Sequence, residues 1–220
     1  MKAMILAAGK GERLQPLTNE TPKPMLEVGS EPLIAHQLRW LKSAGITDVV
    51  INLHHLGEQI EAFCADGRAL GVNIVYSHEE ALLETGGGIV NALAKLGDEP
   101  FTVLNGDIYT DFPFASLPSS PPGWADLHLV LTPRPAFRKH GDFDYGNGRI
   151  TARGEGFVYC GIALLRPELF STMKIEPFSL QSTFFQAVQQ GKASAQIWEG
   201  YWTDIGNHSQ LQAVNEHLRS

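Results

Sequence analysis

Cysteine is scarce in this chain, with two among 220 residues, Cys64 and Cys160. They form no CxxC and no metal-like spacing, so neither a disulfide framework nor a zinc site is expected. Two buried or partly buried free thiols in a reducing compartment are the expectation instead. Positive charge is also short: 17 Lys and Arg stand against 24 Asp and Glu, a net charge of −7. A nucleic acid is therefore no bulk partner, because a phosphate backbone needs basic surface. A single nucleotide is not excluded, since a few local cations and a divalent metal can hold it. No apolar run approaches the roughly 20 residues of a membrane span. The opening MKAMILAAGKG carries an apolar run too short for a signal peptide, with no cleavage-like continuation. The chain is expected to be cytoplasmic, with no membrane partner. The eight histidines form no HExxH, no GxSxG is present, and Trp40, Trp124, Trp198 and Trp202 form no stacking stripe for nucleic acid.

What is present is a core: hydrophobic residues make up 43% of the chain, enough for one sizeable domain. Strand signals cover Lys2 to Ala8, 46–53, 72–77 and 101–107. Helical spacing lies between them, from Pro32 to Ala44, Leu56 to Phe63 and Thr85 to Leu96. This βαβαβαβ rhythm predicts an α/β fold with a mixed, mostly parallel central sheet and helices on both faces. Its strand carboxyl ends gather on one side. The segment Asn19 to Gly29 is polar, Pro-rich and loop-like. Beyond Asp107 the pattern changes. Pro113 to Pro122 reads as a loop and 127–132 as a strand. Residues 141–165 alternate like antiparallel strands around an Asn147-Gly148 turn. A helix from Ser179 to Gln189, an edge-like strand over 193–200 and a terminal helix capped by Asn207 complete the pattern. No internal repeat and no second domain are visible.

The chemistry-bearing residues lie at the predicted strand ends. Gly9 and Gly11 follow the first strand, Arg13 comes next, and Lys23 sits between Pro22 and Pro24. Two glycines after a strand are ordinarily a tight turn, and Lys23 alone would read as a solvated lysine. Together they make a place for a nucleoside triphosphate, with a guanidinium forked onto phosphate oxygens and an ammonium as a point charge. The third glycine of GxGxxG and the GK[ST] ending of a P-loop are both missing. Asp107 in LNGD follows an apolar strand, and Asp204 in YWTDIG follows an apolar-aromatic stretch beside a glycine. They could converge as oxygen ligands for a hard divalent cation, with Asp111 as a weaker competitor. In EEALLETGGGI (79–89), three glycines at a helix start permit close backbone approach. Glu79 and Glu80 could accept from a nucleobase or ribose; equally, Thr85 could be an ordinary N-cap.

Taken together, LAAGKGERLQPLT, TPKPML, LETGGG, LNGD and YWTDIG resemble the sugar-1-phosphate nucleotidyltransferase family over about residues 2 to 215. The resemblance implies a single-domain, Rossmann-like nucleotidyltransferase (GT-A-like) fold. Residues 1–110 would be the nucleotide-binding half, and 111–220 the sugar-phosphate half with the terminal helix. Leu6, Ala7, Ala8, Gly9 and Gly11 would hug the triphosphate. Arg13 would hold its β- and γ-phosphates, and Lys23 would bridge the α-phosphate and the sugar phosphate. Asp107 and Asp204 would bind Mg²⁺, and Glu80, Thr85 and Gly86 would read the base. Asn105, Gly141, Arg153, Glu155 and Asp204 would contact the sugar phosphate. Many relatives carry a Glu-Lys pair where this chain has Arg153-Gly154-Glu155-Gly156, so the phosphate would lean on Lys23, Arg153 or the metal. No β-helix extension follows, so acetyl transfer is not expected. LETGGGI, NGD and the short C-terminus point within the family to UTP and N-acetylmuramic acid 1-phosphate, in cell-wall recycling. Glucose 1-phosphate with dTTP or UTP, and mannose 1-phosphate with GTP, are the alternatives. A monomer or weak dimer is expected. A non-catalytic nucleotide-binding module would be expected to lack Arg13, Lys23 or one aspartate, and all four are present.

Overall fold

Residues 1–219 are described by a computed structural model. The strands, in chain order, are β1 (Ala3–Leu6), β2 (Glu27–Val28), β3 (Glu31–Pro32), β4 (Asp48–Leu53), β5 (Asn73–His78), β6 (Phe101–Asn105) and β7 (Ile108–Thr110). Then come β8 (Leu127–Pro133), β9 (Phe143–Gly146), β10 (Arg149–Arg153), β11 (Phe157–Leu165), β12 (Ala193–Ile197) and β13 (Trp202–Asp204). The helices are α1 (Leu17–Glu20), α2 (Leu33–Ser43), α3 (Gly57–Cys64), α4 (Glu84–Leu96), α5 (Leu180–Gln189) and α6 (His208–His217).

One nine-stranded sheet organises the chain, in the order β5-β4-β1-β6-β11-β8-β12-β10-β9. The first four strands are mutually parallel, as the βα alternation requires. β10 and β11 run against the rest, so the sheet is mixed but mostly of one direction. Both faces are covered, and the period of two in each strand divides its residues between them. Ala3 and Ile5 of β1, with Val49 and Ile51 of β4, face Ile34, Leu38 and Ile60 of α2 and α3. Met4 and Val50 point the other way, towards Ile89 and Ala92 of α4, on a face that α5 extends with Leu180 and Phe184. Strands buried on both faces need continuous aliphatic runs, which is why the first half was so legible. A third, small core of Leu14, Leu26, Leu33, Ile205 and Val214 seats α6 against the N-terminal segment. Among the described residues no helix is long and apolar enough to cross a membrane.

Four expectations need correction. First, β12 is no edge strand. It lies between β8 and β10, parallel to β8, and ends at Ile197. Its polar residues, which suggested an edge, are satisfied internally. Ser194 Oγ donates to the Leu127 carbonyl (2.9 Å), and the His128 ring contacts Ser194 Oγ (2.9 Å) and Gln196 Oε1 (3.0 Å). Second, β1 stops at Leu6, because the Ala7 N–H turns away to the Asn52 side chain at 2.8 Å. Third, the segment 19–29 is built of short regular turns, the end of α1, a 3₁₀ turn over Lys23–Met25, and β2. Fourth, Thr85 does not cap α4, which begins at Glu84. Instead, Thr85 Oγ1 accepts the Leu180 N–H at 2.8 Å. The caps expected at Ser179 and Asn207 are present, accepting from Gln181 and Gln210 N–H. Asn147 and Gly148 form the β9–β10 turn, both with positive φ.

Cys64 and Cys160 are buried free thiols. Burial pushes Cys64 up to about 12 and raises Cys160 as well, which favours the neutral thiol at both. Burial also lowers His128 below 6.5, only partly offset by its hydrogen bond to Gln196. The unfolded chain therefore takes up a proton near pH 6.5 that the folded protein takes up only at lower pH. The resulting stability is complete above about pH 6.5 and declines as pH falls towards the folded-state value. Thermal unfolding between pH 7 and 5 should show a shallower acid loss in His128→Gln than in the wild type. An unchanged slope would mean that His128 titrates normally.

Candidate active site

The carboxyl ends of β1, β4 and β6 open onto one cleft, with the β6–β7 and β13–α6 turns at its far side. Asn52, at the end of β4, sets the near wall. Its Oδ1 takes the Ala7 N–H, and its Nδ2 donates to Glu79 Oε1 at 2.7 Å. Glu79 Oε2 in turn accepts the Leu83 N–H at 2.9 Å, which starts α4. The turn after β1 is then shaped by Gly11, whose φ of +65° suits glycine and whose added Cβ would lie 2.9 Å from Thr18 Cγ2. Thr18 Oγ1 donates to the Gly11 carbonyl at 2.9 Å. At Gly9, by contrast, a Cβ would meet nothing within 4 Å, so bare backbone faces the cleft there.

The 3₁₀ turn after Pro22 aims Lys23 inward. Its Nζ lies 2.8 Å from Asp107 Oδ2, with the two side chains 14% and 27% exposed. Asp107 and Asp204 are brought side by side by a short antiparallel pairing that aligns Asp204 with Ile108. The Ile205 N–H donates to the Asp107 carbonyl at 2.7 Å. Asp204 has two partners of its own. Arg138 Nη1 donates to its Oδ2 at 2.9 Å, and Gln210 Nε2 of α6 donates to its Oδ1 at 2.6 Å. Each aspartate thus carries one cation.

Two adjoining cavities and an open mouth make up the cleft. The first, of about 380 Å³, is lined by Leu6, Ala7, Ala8, Gly9, Gly11, Lys23, Asn52 and Thr85, among others. The second, of about 240 Å³, holds Arg138, Asp142, Tyr159, Trp202 and Asp204. Asn105, Asp107, Thr85 and Ser179 border both. The mouth is lined by Lys10, Gly11, Glu12, Arg13, Lys23 and Gly206. Arg13 is exposed there, its guanidinium lying against Gly206. Among the described residues no group of three or more Asp, Glu, His or Cys could hold a metal. Two carboxylates, one on β13 and one in the turn that leads into its partner β7, fit a hard cation that draws its remaining oxygens from water and phosphates.

Several residues singled out in the sequence stand elsewhere. Glu80 is exposed and lines neither cavity. The Gly86 N–H already donates to the Phe178 carbonyl at 2.9 Å. A Cβ on Gly86, Gly87 or Gly88 would strike the Phe178 ring, the Glu176 carbonyl or Glu79 and Asn52. The three glycines therefore admit protein atoms in this structure. Arg153 lies over the Phe185 ring at 3.9 Å. Gly141 and Glu155 line neither cavity but meet each other, the Gly141 N–H and then His140 holding the Glu155 carboxyl below the usual range. Asp111 is exposed and borders neither cavity.

The sequence reading passed over Asn52, Arg138, Asp142, Tyr159 and Gln210. Asn52 had a signal, an amide closing the β-branched run ITDVVINL. Arg138 sits in an aperiodic Pro-rich loop and had none. The Tyr159 hydroxyl is buried with no hydrogen-bond partner among the described residues, and burial drives its pKa well up. An unpartnered buried hydroxyl costs about 1 kcal/mol or more. Tyr159→Phe should therefore raise the melting temperature by about 2–4 °C in calorimetry. A lower melting temperature would reveal a partner for that oxygen.

Comparison with known proteins yields concordant matches. The nucleotidyl transferase family profile matches residues 2–119. A protein from Neisseria meningitidis named N-acetylmuramate alpha-1-phosphate uridylyltransferase is 42% identical over 221 residues, covering 96% of each chain. The mannose-1-phosphate guanylyltransferase catalytic subunit beta of Drosophila melanogaster is 34% identical over 227 residues. That match covers 93% of this chain but 59% of the fly protein. Among solved structures, HddC from Yersinia pseudotuberculosis complexed with GMP-PN superposes with a TM-score of 0.84, covering 99% of both chains. At 22% identity that likeness speaks for the fold.

Proposed function

This chain belongs to the nucleotidyl transferase family, and on that premise we propose that it joins UTP to N-acetylmuramic acid 1-phosphate. The products would be UDP-N-acetylmuramic acid and pyrophosphate. The observation that carries the reaction class is the Lys23–Asp107 pair where the two cavities meet, with the Arg138–Asp204 pair in the smaller one. The choice of base and sugar leans on the Neisseria relative and its coverage of both full lengths.

The chemistry needs no protein nucleophile. An oxygen of the sugar phosphate attacks the α-phosphorus in line, the α–β P–O bond breaks, and pyrophosphate carries away the electron pair. Repulsion between two polyanions is the first obstacle. Bare backbone at Gly9 and the Gly11 turn receive the triphosphate in the larger cavity. Arg13 at the mouth takes the β- and γ-phosphates, and Lys23 neutralises charge at the α-phosphate as it passes between partners. Asp107 and Asp204 would hold Mg²⁺, which when bound supplies further charge neutralisation on the phosphates. Gln210 keeps Asp204 oriented from α6. The setting this implies is nucleotide-sugar synthesis in the cytoplasm, in peptidoglycan recycling.

One coupled pyrophosphate-release assay tests the reading. It crosses UTP, dTTP, CTP and GTP with the 1-phosphates of N-acetylmuramic acid, N-acetylglucosamine, glucose and mannose, with and without Mg²⁺. UTP with N-acetylmuramic acid 1-phosphate should be the best pair. GTP with mannose 1-phosphate as the best pair would favour the reading suggested by the fly relative. Release with no pair would favour a nucleotide-binding module without turnover.

A further inference from the structure

The smaller cavity is lined by three aspartates, Asp107, Asp142 and Asp204, and among the described residues by one Lys or Arg side chain, Arg138. A phosphate dianion entering it meets net negative charge unless that guanidinium turns to it. Arg138 is placed to do so. Its Nη1 lies 2.9 Å from Asp204 and its Nη2 4.0 Å from Asp142, and a third of the side chain is exposed. The loop behind it is held on both sides. Arg134 Nη1 donates to the Arg138 and Lys139 carbonyls at 3.3 and 3.1 Å, and Arg134 Nε donates to the Glu155 carbonyl at 3.1 Å. Phe137 stacks on Trp202, with ring centroids 6.3 Å apart and planes 18° from parallel.

Resting on the function just proposed, we propose that Arg138 is the substrate-binding residue that receives the phosphate of the sugar 1-phosphate. Asp204 holds it ready, and would release it when that carboxylate takes up Mg²⁺. A guanidinium offers five N–H donors in a planar fork, of which the aspartates occupy only part. It can exchange one anion for another by rotating its end, with the loop unmoved. Lys23 stands in the same relation to Asp107 on the triphosphate side. The site thus neutralises its own carboxylates with cations that the substrates' phosphates can take over. Arg138 reads an anion on the sugar substrate. That anion could be the 1-phosphate, or the lactyl carboxylate of a muramic acid. Its contact with Asp204, beside Asp107 and the junction of the cavities, favours the phosphate.

Isothermal titration calorimetry on the full chain, with Mg²⁺ and a non-hydrolysable UTP analogue present, decides the matter. N-acetylmuramic acid 1-phosphate and N-acetylglucosamine 1-phosphate, which lacks the carboxylate, are titrated into wild type, Arg138→Ala and Arg138→Lys. Both sugar phosphates should bind Arg138→Ala about ten- to a hundredfold more weakly, with part of the loss restored by lysine. The UTP analogue should bind all three proteins within about threefold, since the nucleotide cavity is untouched. Sugar phosphate affinity within about twofold of wild type in Arg138→Ala, beside normal wild-type turnover, overturns this inference and leaves the proposed function standing. A loss confined to the muramic substrate, or a wild type that refuses N-acetylglucosamine 1-phosphate, assigns the guanidinium to the carboxylate and overturns the phosphate role. An equal loss of nucleotide affinity overturns it too, as a collapse of the whole site. Wild type that binds the nucleotide but neither sugar phosphate sinks the proposed function and this inference together.

Discussion

Asp107→Asn should lower kcat by about a thousandfold or more in steady-state pyrophosphate release with Mg²⁺. The substitution keeps the shape and removes one charge. The backbone bond from Ile205 N–H to the Asp107 carbonyl, which docks β13 beside β7, does not depend on the side chain. The protein should therefore stay folded, and circular dichroism should be unchanged. On the function proposed above, two things would be lost at once: an anionic oxygen ligand for Mg²⁺, and the counter-charge that holds Lys23 at 2.8 Å. Excess Mg²⁺ should recover little of the rate, because the remaining Asp204 cannot span both cavities. Near-normal turnover would remove Asp107 from the metal site.

Lys23→Ala should lower kcat by about a hundred- to a thousandfold while changing UTP affinity by no more than about tenfold. The asymmetry follows from position. Lys23 borders the larger cavity and the mouth, and reaches Asp107, which borders the smaller cavity too. In the proposed reaction a cation at that junction acts most on charge that develops during transfer, whereas ground-state binding of the triphosphate would be shared with Arg13 and the glycine turn. Single-turnover rates and UTP titrations separate the two effects. A loss confined to nucleotide affinity would contradict the bridging role.

The parts that were legible in the sequence are those governed by local physics. Aliphatic runs with helices between them marked the parallel half, because strands buried on both faces have no polar positions to spare. Caps at Ser179 and Asn207 and the Asn147-Gly148 turn were readable, because each depends on a few neighbouring residues. The place of β12 was not. Ser194 and Gln196 look like solvent-facing residues until His128 is known to lie opposite them. Gly86, Gly87 and Gly88 announced close approach correctly but not what approaches. In the folded chain Phe178 and Glu176, some ninety residues on in sequence, meet Gly86 and Gly87, and Glu79 and Asn52 meet Gly88.

By itself the sequence determined the alternation of strands and helices and the glycine turn followed by Arg13 and Lys23. It also determined that Asp107 comes just after an apolar strand and Asp204 after an apolar-aromatic stretch. Only the tertiary structure decided that these two aspartates meet, because their contact is made by the β7–β13 pairing across nearly a hundred residues. It also supplied Arg138 as the partner of Asp204 and Gln210 as its support. The physical reason is range. Propensity and periodicity act over a few residues, whereas a site for two anions needs charges gathered from four distant segments, and no local pattern records which will meet.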